Sequence, residues 1–309
     1  MITSIFKKST PINYSLMGIV MIVFFFLYQF HTPSTANSTG GILEKAGVLV
    51  LLFASLFLSN FIVKKNGLTK NSSYTILFFF LFLLFFPSIM NNIKLLLANF
   101  FILLSIRRLV SLQTLKAPKE KIFDAALWIF VASLFHFWCI LFIILVYISI
   151  IFHVSRDYRN WLIPFVAFFA TAVVFVLYDL IIDKAAITTY LQSETMNFKL
   201  DYFTNKYQNI AFSIYAVFVV FFIFPAIFSI TNKPLNLQAS YKKIIFATLI
   251  GIAIFVISTT KSNESLVFTF LPMAIMATNT IEYLQIKLQQ EIILFLSIAC
   301  GFFCFFSQL

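Results

Sequence analysis

His136 is the residue of this sequence with the clearest potential for chemistry. It lies near the middle of the apolar block 123–152, directly after the run ASLF, and Trp138 follows two residues later. An ionisable side chain at membrane depth is costly and by default a functional candidate. Imidazole can act as an acid, as a base or as a donor to an anion. We predict that His136 is catalytic; the alternative is a turn residue at the membrane interface, hydrogen-bonded to backbone.

Two carboxylates, Asp179 and Asp183, lie four residues apart at the end of the apolar block 161–182, and Lys184 follows them. This spacing places both on one face of a helix, where they could bind a metal ion, hold a proton or form an acid–base pair. The alternative is a helix end that leaves the bilayer with a local Asp–Lys contact. We predict that Asp179, which lies inside the apolar run, is catalytic, and that Asp183 and Lys184 bind substrate or a lipid head group.

Arg107 and Arg108 form an adjacent pair of guanidinium groups directly after the apolar block 74–106. Guanidinium groups bind phosphate and pyrophosphate bidentately. We therefore predict that this pair binds substrate or lipid head groups. On the topology derived below the pair faces the cytoplasm, where it would end a helix and hold lipid phosphates.

Several function classes are excluded by missing motifs. The sequence has no Walker A motif, no HExxH, no GxSxG and no dinucleotide-binding fingerprint. We therefore expect no cofactor and no bound metal. The net charge of +11 is explained by cytoplasmic loops rather than by nucleic-acid binding, since basic residues mark cytoplasmic loops of membrane proteins and no nucleic-acid-binding motif is present.

Long apolar blocks must position these residues. The chain is 61% hydrophobic and 11% charged, with 43 Phe among 309 residues, whereas a soluble domain has about 25% charged residues. Segments such as 74–90 are apolar on every face, which predicts helices, because the strands of a membrane barrel would alternate. The blocks are 14–30, 46–63, 74–106, 123–152, 161–182, 210–230, 243–259, 265–281 and 291–307.

Two of these blocks, 74–106 and 123–152, are too long for a single span of about 20 residues. The first is interrupted by Pro87 and the pair Asn91-Asn92, and the second by His136. Folding both into hairpins places 16 of the 22 Lys and Arg residues on the cytoplasmic side; leaving both whole places 11 there. Because cytoplasmic loops are rich in Lys and Arg, we predict an all-α bundle of about 11 spans (range 9–12), with a cytoplasmic N-terminus and a periplasmic C-terminus.

The loops indicate no separate soluble domain. We predict one integral membrane domain over residues 1–309, whose longest extramembrane segment is 183–209. The basic stretch 107–124 is expected to contact anionic lipid on the cytoplasmic side.

Two resemblances add expectations. At Arg107-Arg108 and at ASLFH (residues 132–136) the chain resembles polysaccharide polymerases of the EpsG/Wzy type, over about 50 of 309 residues. That resemblance implies joining of lipid-linked glycan units at the outer face of the inner membrane, without metal or nucleotide. The opening MITSIFKKSTPINY, with ASLFHFWCILF and RDYRNWLIPF, is similar over most of the chain to an uncharacterised inner-membrane family of flavobacteria and other Bacteroidota.

Three function classes remain. The first is an inner-membrane protein of cell-envelope biogenesis, polymerase-like, that acts on a lipid-linked glycan and has membrane lipids as partners. The second is a non-enzymatic subunit or scaffold of an envelope complex, with other membrane proteins as partners. A transporter ranks last, because the sequence shows no inverted repeat. A polar cavity shared by His136 and Asp179 would favour the first class.

Overall fold

The computed structural model is entirely helical in the residues it describes, which are 2–31, 39–182, 187–188, 190, 205–258 and 261–309. Twelve α-helices occur in this part of the chain: α1 (Ile2–Phe6), α2 (Pro11–His31), α3 (Thr39–Asn66), α4 (Tyr74–Phe85), α5 (Ile93–Ser111), α6 (Pro118–Phe135), α7 (Ile143–His153), α8 (Arg159–Ile181), α9 (Lys206–Phe228), α10 (Leu235–Ile257), α11 (Phe270–Tyr283) and α12 (Lys287–Ser307). The main 3₁₀ segments are Pro87–Asn91, Phe137–Phe142 and Asn263–Thr269.

Eight helical segments of the described chain are long and apolar enough to cross a membrane. Shorter apolar segments, Tyr74–Phe85 and Phe137–His153, accompany them. The predicted class, an all-α multi-pass membrane protein, is confirmed. The number of crossings and the sidedness of the termini stay predictions.

Both long apolar blocks are broken where polar residues interrupt them. The first breaks at the 3₁₀ segment Pro87–Asn91, because proline lacks the N–H that would continue the helix. The second breaks at His136. After that break the chain folds back, since Lys119 at the start of α6 and Asp157 beyond α7 form an ion pair at 3.2 Å.

The chain divides into two compact units. The first contains α1–α4, α9, α11 and α12, and the second contains α6, α7, α8 and α10, while α5 begins in the first and ends in the second. Both are apolar and helical, so this division does not test the prediction of one membrane domain.

Helix α4 forms the centre of the first unit. All twelve of its residues are buried, and it packs against α2, α3, α9, α11 and α12. A helix that is apolar all round must be surrounded by lipid or by protein. For α4 the surroundings are protein, with the rings of Phe78, Phe82, Tyr215 and Phe270 forming an aromatic core.

In the second unit α6 packs along α8, and α10 packs against α7 and the segment Phe137–Phe142. Two small buried residues, Ala126 of α6 and Ala167 of α8, share a cluster with Phe130. Small residues let membrane helices approach closely. This packing positions His136, which follows α6, and Asp179, which lies in the last turn of α8.

Candidate functional site

His136 lies at the turn that ends α6. Its backbone is extended, with φ −145° and ψ 104°, so the α-helix that begins at Pro118 stops one residue earlier. The chain then turns through Phe137–Phe142 into α7. The histidine is therefore placed at the tip of a helical hairpin, where the sequence analysis predicted it.

His136 and Ser258, the residue that follows α10, lie at the same end of the second unit. Lys121 of α6 and Lys243 of α10 donate to carbonyls in the last turn of α5, at 2.8 and 2.5 Å. Both lysines therefore lie beside that turn. His136 and Ser258 each follow their lysine by fifteen residues, a helical rise of about 22 Å.

The ring of Phe268 joins the two parts of this end. It lies 5.6 Å from the ring of His136 and 6.3 Å from that of Phe142. The 3₁₀ segment Asn263–Thr269 and the tip of the α6–α7 hairpin are thus in contact through Phe268. We call this region, comprising His136, Trp138, Ser258, Lys261 and Phe268, the His136 end.

Four buried polar atoms at the His136 end have no hydrogen-bond partner among the described residues. They are Nε2 of His136, Nε1 of Trp138, Oγ of Ser258 and Nζ of Lys261. The Trp138 and Ser258 side chains are 5% and 1% exposed. The indole and the ammonium only donate, the hydroxyl donates or accepts, and neutral imidazole does either according to its tautomer. Buried polar groups are normally paired, because an unpaired one costs about 1–3 kcal/mol. A ligand rich in acceptor oxygens would match these groups.

An apolar cavity of about 320 Å³ lies beside the His136 end. Its wall includes Ser133, Leu134 and Phe137 from the hairpin tip, and Phe168 and Phe175 from α8. The cavity therefore lies within the second unit, and three of its lining residues are within three positions of His136. His136 and Asp179 themselves are not among its lining residues, so this cavity is not the polar cavity shared by the two residues that the sequence analysis expected.

Asp179 bonds to Ile187, one of the residues that line this cavity. Its Oδ1 accepts a hydrogen bond from the backbone N–H of Ile187 at 2.9 Å. In the same segment the hydroxyl of Tyr190 donates to the carbonyl of Ser133 at 2.9 Å, and its ring packs on Phe137 at 5.5 Å. The Asp179 carboxylate thus bonds to Ile187, and the nearby Tyr190 contacts the tip of the α6–α7 hairpin. Asp183 and Lys184 lie outside the described residues, as does most of the segment 183–209.

The arginine pair lies away from the His136 end. Arg108 forms an ion pair with Asp124 of α6 at 2.7 Å, and His136 is twelve residues beyond Asp124, about 18 Å along the helix. Nearby, Asp157 accepts the N–H of Arg159 at 3.0 Å and pairs with Lys119. These contacts, the backbone bond first, lower the pKa of Asp157.

The structure adds residues that the sequence analysis treated only as loop cations. Lys261 lies between the apolar blocks 243–259 and 265–281 and was counted as a loop cation, yet its Nζ is buried. Lys243 was counted as a cytoplasmic loop cation, yet it is 1% exposed and bonded to the end of α5. The apolar run that follows Lys243 was the available signal there, whereas Lys261 lies in the polar stretch STTKSNES, which offers no such signal.

Among the described residues no group of three or more His, Cys, Asp or Glu side chains could hold a metal ion. The arrangement is instead that of a helical membrane protein with a donor-rich end beside an apolar cavity. A family model matches residues 1–309, and the chain belongs to that family, DUF6427, which is described as a family of unknown function. No curated protein and no solved structure matches the chain.

Proposed function

We propose that this protein is an inner-membrane enzyme of cell-envelope biogenesis that acts on a lipid-linked glycan at the outer face of the membrane, in the manner of a polymerase. One observation carries the proposal: unpaired polar groups at the His136 end lie beside an apolar cavity of about 320 Å³. An amphiphilic substrate needs both surfaces, polar groups for its sugar and phosphate and an apolar cavity for its lipid chain.

His136 is the proton acceptor in this proposal. The hydroxyl oxygen of the acceptor sugar bonds to the anomeric carbon of the donor, and its proton passes to the imidazole. The bond from the anomeric carbon to the lipid phosphate oxygen breaks, and the electron pair leaves with the phosphate. The Lys261 ammonium and the Trp138 N–H stabilise the leaving charge, and Asp179 positions the segment that carries Tyr190.

The proposal requires His136 at the outer face, as in the topology of eleven crossings with a cytoplasmic N-terminus and a periplasmic C-terminus. In that topology the basic connection between α5 and α6 is cytoplasmic. The length of α6 supports it, because its 18 residues rise about 27 Å, close to the hydrocarbon thickness of about 30 Å. Membrane lipids and other envelope proteins are the expected partners, and nucleic acid is not.

The test replaces His136 by alanine in the native organism and compares surface glycan profiles at equal protein abundance. The matched control is His153→Ala, because His153 ends α7 away from the hairpin tip and bonds to the carbonyl of Ser149. Loss of a general base slows a reaction by about 100- to 10,000-fold, so polymerised glycan should disappear in His136→Ala alone. An unchanged profile would overturn the proposal.

A non-enzymatic subunit or scaffold is the second candidate, favoured by helix α8. Only 17% of the most apolar 18-residue stretch of α8 is buried. The helix therefore leaves a long apolar face open to lipid or to another membrane protein. If deletion of the gene alters the glycan while His136→Ala does not, the subunit role replaces the enzymatic one.

A further inference from the structure

A second cavity, of about 600 Å³, lies in the first unit. It is formed by α1, by the connection between α3 and α4, and by the connection between α11 and α12, and ten of its twelve lining residues are polar or charged. It is distinct from the apolar cavity beside the His136 end, which belongs to the second unit. On the proposed topology it opens at the cytoplasmic face.

Hydrogen bonds between these three segments hold the wall of this cavity. The Tyr74 hydroxyl donates to the carbonyl of Thr3 at 2.9 Å, and the Thr3 hydroxyl donates to Glu291 at 2.5 Å. The carboxylate of Glu282 accepts the Ser72 hydroxyl at 2.6 Å. Since Tyr74, Thr3 and Ser72 are buried, the cavity is a built part of the fold.

The carboxylates of this region are engaged by other groups. Glu282 accepts the backbone N–H of Lys70 at 2.8 Å through its second oxygen, and the Lys70 ammonium donates to the backbone carbonyl of Glu282 at 3.1 Å. Glu291 accepts the hydroxyl of Thr3. Both negative charges therefore already have donors.

Two ammonium groups of the cavity remain available. Lys7 and Lys287 line it, and neither side chain forms an ion pair or a hydrogen bond within the described part of the chain. Lys287 also begins α12, a helix of 21 residues with no acidic residue in its first turn and no side-chain cap. The partial positive charge of that helix start adds to the two ammonium groups.

We propose that this cavity binds the phosphate of an anionic phospholipid head group. Two free ammonium groups beside a helix start suit phosphate oxygens. Basic pockets between membrane helices on the cytoplasmic side are typical head-group sites. Inorganic phosphate shares this chemistry, and only the lipid combines it with an acyl chain along the apolar helices.

The test measures lipid retention by native mass spectrometry on the purified full-length protein, with phosphatidylglycerol, phosphatidylcholine or inorganic phosphate added. Each lysine near a lipid surface contributes about fivefold in affinity, so Lys7→Gln/Lys287→Gln should weaken phosphatidylglycerol binding by about 30-fold. The matched control is Lys8→Gln/Lys116→Gln, which removes two exposed cations outside the cavity lining and should leave binding unchanged.

Three outcomes would overturn the proposal: equal weakening in both double variants, equal retention of phosphatidylcholine, or competition by inorganic phosphate at the affinity of the lipid. The last outcome would identify a site for free phosphate. If the double variant does not fold, Lys287→Gln alone should weaken binding by about fivefold. None of these results depends on glycan chemistry, so they are independent of the proposed function.

Discussion

Phe82 of helix α4 is the position where loss of packing should cost most in the first unit. Its side chain is 1% exposed. Its ring lies 5.6 Å from the ring of Tyr215 and between 6.1 and 6.3 Å from those of Phe78, Phe85 and Phe270. These neighbours belong to several helices, so Phe82→Ala should open a cavity that the surrounding rings cannot fill.

The expected loss in the free energy of unfolding depends on which contributions to packing apply in a membrane protein. In soluble cores Phe→Ala costs about 3–5 kcal/mol, partly from transfer to water and partly from the cavity. The transfer part is small here, because lipid tails are as apolar as the protein interior. Dispersion contacts and the cavity remain, and we therefore expect the lower end of that range, a loss of about 3 kcal/mol in the free energy of unfolding.

Steric-trap unfolding of the purified protein in bicelles measures this free energy. The matched control is Phe295→Ala on α12, whose side chain is 67% exposed and should change stability by at most about 0.5 kcal/mol. Similar losses in the two variants would refute the conclusion that α4 is enclosed by protein while Phe295 faces lipid.

Two further predictions concern a buried cation and the topology. Lys243→Met leaves the Leu109 carbonyl without the donor at 2.5 Å and should cost about 1–3 kcal/mol in the same unfolding assay. The exposed neighbour Lys242 supplies the control, Lys242→Met, with little change; equal effects would contradict the assigned contact. Alkaline phosphatase fused after Leu309 should be active and green fluorescent protein fused there dark, because the C-terminus is proposed to be periplasmic. The reverse pattern would exclude the eleven-crossing topology.

Both helix breaks could be predicted from the sequence, because block length and polar interruption are local properties. Blocks of 33 and 30 residues exceed the roughly 20 residues of one span. Pro87 and His136 mark where each helix ends. The identification of His136 as a candidate followed from the same reasoning, since a polar residue at membrane depth is conspicuous.

The position of α4 could not be predicted, because composition does not distinguish protein from lipid as the surroundings of a helix. Helices α4 and α8 are both strongly apolar. Yet all residues of α4 are buried, whereas only 17% of the most apolar 18-residue stretch of α8 is buried. Hydropathy reports that each helix avoids water. Which apolar environment it enters depends on neighbours that are distant in sequence.

Charge counting likewise treats every lysine as a loop residue. Lys243 is bonded within the second unit and the Nζ of Lys261 is buried, so neither reports directly on loop charge. If both lysines are left out of the count, each side of the membrane loses one cation, and 15 of the remaining 20 Lys and Arg residues are cytoplasmic. The topological argument therefore survives, although charge counting does not detect that these two lysines have buried ammonium groups.

The His136 end shows why its remaining members required the structure. Ser258 and Lys261 are more than 120 residues from His136, and each taken alone reads as part of a turn. They lie at the same end of the second unit as His136 because Lys121 and Lys243 bond α6 and α10 to the last turn of α5. A slip of α10 by one turn would move Ser258 by about 5.4 Å, more than a hydrogen bond tolerates. The arrangement of the His136 end therefore depends on lysine contacts about 22 Å away, and no local sequence pattern encodes that distance.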